Sequence, residues 1–88
     1  MMSDLEHLQS LVEDAFLEAP LMYANGFING LGATDAYTVL QTNGRAVAVV
    51  NMSLPVAKTL GQGLLAMIAA YEQQTGETVA TLDQIHGR

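Results

Sequence analysis

Apolar positions group along this chain into three segments, and the pattern within each predicts its structure. In the opening segment "SDLEHLQSLVEDAFLEAP", Leu5, Leu8, Val12, Ala15 and Phe16 fall on one side at helical spacing, while Glu6, Glu13, Asp14 and Glu18 lie mostly elsewhere. Ser3 followed three residues later by Glu6 has the form of a capping box, and Pro20 cannot continue a helix, so one is predicted from about residue 4 to 18. Residues 1–20 thus read as an N-terminal amphipathic helix. Its carboxylates crowd toward the C-terminal end, where the helix dipole disfavours negative charge, so its ends fray or its docking depends on a partner.

The next segment, "LMYANGFINGLGATDAYTVLQTNGRAVAVVNM", is rich in β-formers. Asn43-Gly44 sits between two such runs and predicts a two-residue hairpin of type I′. That turn pairs Thr42 with Arg45, Leu40 with Val47 and Thr38 with Val49 on one face. On the other it pairs Gln41 with Ala46, Val39 with Ala48 and Tyr37 with Val50. Both faces carry apolar side chains, whereas a half-buried hairpin would alternate apolar with polar. One helix covers one face; the other needs a second layer, from the N-terminal helix or from a second subunit.

Within this segment, "YANGFINGLG" (residues 23–32) admits three readings: a ligand cradle, ordinary loop, or a strand with small side chains. A phosphate-binding glycine loop leads into a helix and is usually served by a nearby lysine; here the glycines lead into a strand and the first lysine is Lys58. The better reading is a strand from about Met22 to Leu31, with Tyr23, Asn25, Phe27 and Asn29 on one face and Ala24, Gly26, Ile28 and Gly30 on the other. The second face is small enough for another backbone, a helix bearing Gly61, or a flat ligand to approach closely.

"SLPVAKTLGQGLLAMIAAYEQQTGE" predicts a long helix, with Ser53 as N-cap, Pro55 in the first turn and Gly76 as a left-handed C-cap. Val56, Leu60, Leu64, Met67, Ile68 and Tyr71 make an apolar stripe, with Ala57, Gly61 and Leu65 beside it. Gly61 and Gly63 each cost the helix about 1 kcal/mol relative to alanine. That cost marks either a close approach of a neighbouring element or a locally weak helix. In the tail, residues 78–88, Val79, Leu82 and Ile85 recur every three residues, which fits one short helical turn or a disordered end.

Composition changes the picture in one respect. Half of the residues are hydrophobic and only 14% are charged, well below the roughly 25% of an ordinary domain. A chain of 88 residues buries only part of its surface, so apolar area is left over. The simplest cover is another copy of the same chain, with another protein as the second kind of partner. Gly61, Leu65 and Ile68 on the long helix and Val47 and Val49 on the hairpin are the expected interface residues.

Charge and chemistry mostly exclude. Nine carboxylates face three cations, Arg45, Lys58 and Arg88, too few and too scattered for nucleic-acid phosphates. There is no cysteine, hence no disulfide, thiolate metal site or cysteine nucleophile, and a reducing cytoplasm is the expected setting. "MMSDLEHLQS" is acidic and amphipathic, unlike a secretory signal, and residues 54–71 contain Lys58, Gln62 and two glycines, so a membrane span is not expected. His7 and His86 form no paired metal-ligand motif, and Ser53 reads as a helix cap, not as a nucleophile served by His86 and Asp83. No catalytic residue, metal site or cofactor is expected. The one alternative is a small-molecule binder, with neutral donors and acceptors from Tyr23, Asn25, Asn29 and Tyr37 at an interface pocket.

A first strand opening on "YAN", a second containing Tyr37, a third running into "NMSLPVAKTL" and a helix closing on "IAAYEQQTGE" together resemble the DUF3467 family of small bacterial and archaeal proteins. The likeness spans Leu21 to Glu77, about two-thirds of the chain. Its more specific parts are Ser53, Pro55, Ala57 and Lys58 at the helix start and Tyr71, Glu72, Gly76 and Glu77 at its end. It implies a three-stranded meander followed by a helix, and it supplies no catalytic residues because the family has no established activity. The helix here is richer in glycine and alanine and the first strand richer in Asn-Gly, so assembly in the manner of the family is not implied. The expected fold is α+β: an N-terminal helix, a three-stranded antiparallel β-meander over residues 21–77 with one long C-terminal helix packed on the sheet, then the tail.

Overall fold

A computed structural model of the chain describes residues 3–86; Gly87 and Arg88, the end of the expected tail, lie outside the described residues, as do Met1 and Met2. The element order is α1 (Asp4–Glu18), β1 (Gly26–Leu31), β2 (Asp35–Thr42), β3 (Arg45–Ser53), α2 (Leu54–Thr75) and α3 (Leu82–Ile85). The strands form one three-stranded antiparallel sheet in the order β1-β2-β3, so β2 is central and β1 and β3 are its edges. This is the expected α+β layout. The described residues divide into two compact units, 3–28 with 39–49, and 29–38 with 50–86.

In the first unit, α1 begins where its cap requires. The Ser3 hydroxyl accepts the Glu6 N–H at 3.2 Å and donates to the Glu6 carboxylate, so the reciprocal arm of the box runs between side chains. The β2–β3 turn has Asn43 at φ 51° and Gly44 at φ 83°, the left-handed pair that a type I′ turn needs. β1 begins later than the sequence pattern suggests, at Gly26 instead of about Met22. The Asn25 N–H still reaches the Gln41 carbonyl at 3.0 Å, while Gly26 also faces Gln41. Two residues of one strand against one of the other is the count of a β-bulge, and the regular ladder starts only after it.

In the second unit, β1 and β2 meet through a short connection: the Gly32 N–H donates to the Asp35 carbonyl at 2.8 Å across Ala33 and Thr34. α2 is bounded as its caps dictate. Ser53 accepts the Val56 N–H, Pro55 lies in the first turn, and Gly76 at φ 73° donates its N–H to the Glu72 carbonyl. Beyond it the chain is tied back, with the Val79 N–H on the Glu72 carboxylate at 2.8 Å and the Tyr71 hydroxyl donating to Glu77. Thr81 and Gln84 then close a full capping box on α3, the single helical turn expected from the spacing of the tail.

No described residue is buried, apolar or polar. The half-buried positions concentrate on central β2, where Ala36, Thr38, Val39, Leu40, Gln41 and Thr42 represent both faces of the strand. The apolar stripe of α2 stays exposed from Val56 through Leu60, Leu64 and Met67 to Tyr71.

Candidate functional site

The residues able to act lie on open surfaces, not in a cleft. On α2, Gly61, Leu65 and Ile68 follow one another at helical spacing, with Leu65 74% and Ile68 42% exposed. On β3, Val47 and Val49 point to one face of the sheet, 39% and 63% exposed. The expected interface residues thus form two groups, one on each element, with Leu65 and Val49 the more exposed member of each. A Cβ added at Gly61 or Gly63 meets nothing within 4 Å among the described residues, so the surface of α2 is open at both glycines.

The first strand has a different logic. Asn25 accepts the Asn43 N–H on Oδ1 at 2.9 Å and donates through Nδ2 to Asn43 Oδ1 at 2.8 Å. Its whole amide is engaged in holding the hairpin turn. Asn29 accepts the Thr38 hydroxyl at 2.8 Å. The Thr42 hydroxyl donates to the Tyr23 carbonyl, and the Tyr23 side chain stands 75% exposed. Tyr37 lies across Gly30, where an added Cβ would collide with its ring. The Gly30 end of the small face of β1 is therefore covered by an aromatic side chain of the neighbouring strand. Of the four ligand candidates, Asn25, Asn29 and Tyr37 have structural tasks within the sheet. These pairings are invisible in sequence, because they depend on the β1–β2 register and on the bulge that shifts Asn25 into reach of the turn.

Groups for chemistry do not converge. Among the described residues, no three or more of His, Cys, Asp and Glu cluster to hold a metal ion. His7 lies within α1 and His86 caps α3, while the Ser53 hydroxyl caps α2. A shallow depression beside the first turns of α2 is lined by Pro55, Val56, Thr59 and Leu60, without a charged group. Among the described residues no helix is long and apolar enough to cross a membrane. No family model matches the chain, and neither a curated protein nor a solved structure does.

Proposed function

We propose that this chain is a non-enzymatic, homo-oligomeric interaction or assembly module, acting in the cytoplasm, whose apolar strand and helix surfaces are completed by further copies of itself. One observation carries this reading: no described residue is buried, and the chain exposes 7672 Å². Among the large apolar side chains left exposed are Leu60, Leu64, Leu65 and Met67 on α2 and Val49 on β3. A chain with half its residues hydrophobic cannot leave that area in water and remain folded and dispersed.

The alternative, a small-molecule role, would compete with the sheet for both amide heteroatoms of Asn25 and for Asn29 Oδ1. The test is light scattering on the purified chain at tens of micromolar. The expected mass is that of a dimer or larger, and a clean, folded monomer would refute the proposal.

A further inference from the structure

β3 is an edge of the sheet, and its free side can be read residue by residue. In a two-residue hairpin the residues flanking the turn exchange both backbone hydrogen bonds, and the pattern then alternates along the strand. With Asn43 and Gly44 as the turn, Arg45, Val47, Val49 and Asn51 direct their backbone groups at β2. Ala46, Ala48, Val50 and Met52 direct theirs outward, past the edge. Exposed edges are normally blunted by proline, lysine, a bulge or an inward charge. β3 has none of these: "RAVAVVNMS" holds neither proline nor glycine, and its one charge, Arg45, is terminal. The other edge, β1, is shorter, starts at the bulge and carries Gly30.

We propose that β3 is the seam of self-association: two copies pair their β3 strands antiparallel about a twofold axis at Val49, fusing two sheets into one. Ala46 then faces Met52 of the second copy, Ala48 faces Val50, and Val49 faces Val49. Among twofold antiparallel registers, this one gives every outward residue a partner; a shift either way sets a terminal outward residue against the turn or the start of α2. Small side chains oppose large ones on one face, so the strand is complementary to itself. The edge sets no like charges against each other in this register: none of the nine carboxylates lies on β3, and Arg45 is brought opposite the neutral Ser53. The edge is local to β3 and its pairing with β2. The seam rests on the self-association proposed above and names the surface that carries it.

Cysteine cross-linking tests it, in a chain that has no cysteine of its own. Facing residues in a non-hydrogen-bonded antiparallel pair have Cα atoms about 4.5 Å apart, within the roughly 4.4–6.8 Å that a disulfide spans. Val49→Cys should give a disulfide-linked dimer under oxidised glutathione. Val47→Cys should not, since its counterpart in the second copy lies several residues along. Val50→Pro removes an outward N–H without touching the bonds to β2; its circular dichroism should be unchanged and its dimer at least about tenfold weaker. If the parent is a dimer but Val49→Cys cross-links no better than Val47→Cys, the seam is wrong and self-association stands. A monomeric parent overturns both. Should Val49→Cys fail to fold, Val50→Pro decides, and a dimer as tight as the parent's rejects the seam.

Discussion

Asn25 and Asn43 are eighteen positions apart and hold one another through both atoms of the Asn25 amide. The first central residue of a type I′ turn has no ladder partner for its N–H, so Asn25 supplies the acceptor that the sheet cannot. Truncation to Asn25→Ala removes that acceptor at an exposed site where water can substitute in part. The expected loss is about 1 kcal/mol or less, read as a lower urea midpoint with an unchanged slope. From sequence, Asn25 reads as a strand residue or a ligand donor, since the bulge that brings it to the turn leaves no mark in composition or period. Tyr37 over Gly30 was hidden in the same way: which residue faces a glycine is a matter of register, and register belongs to two strands at once.

Elements bounded by local chemistry were legible, and those bounded by pairing were not. Ser3, Ser53 and Gly76 cap helices through atoms a few residues away, and Asn43-Gly44 turns the chain through its own left-handed φ values, so these limits could be read directly. The start of β1 could not, because it is decided across the sheet by Gln41. α2 poses the complementary problem. Its ends were predictable, but the reason for Gly61 was not, and no described residue comes within 4 Å of a Cβ built there. Gly61→Ala should therefore raise subunit stability by up to about 1 kcal/mol under dissociating conditions, through helix propensity alone. If the stripe of Gly61, Leu65 and Ile68 meets another copy, Gly61→Leu should weaken assembly at least about tenfold on dilution, by steric exclusion. An assembly indifferent to Gly61→Leu would place that stripe outside the contact.

At the scale of the molecule, two long-range terms oppose each other. Half of the residues are hydrophobic, which draws copies together, and each copy carries a net charge of −6, which drives them apart. Screening separates the terms, because the Debye length falls from about 30 Å at 0.01 M salt to about 8 Å at 0.15 M while apolar burial is not weakened. Association should therefore tighten several-fold across that range, as measured by sedimentation or by dilution light scattering. The melting temperature should rise with protein concentration, since oligomerisation stabilises the folded chain by mass action. The sign is the informative part. Contacts held by ion pairs, or a partner bearing many phosphates, would loosen with salt. Loosening would therefore mean that Arg45 or Lys58 pairs with a carboxylate across the contact between copies, and that burial of the apolar surfaces of β3 and α2 is not what holds them together.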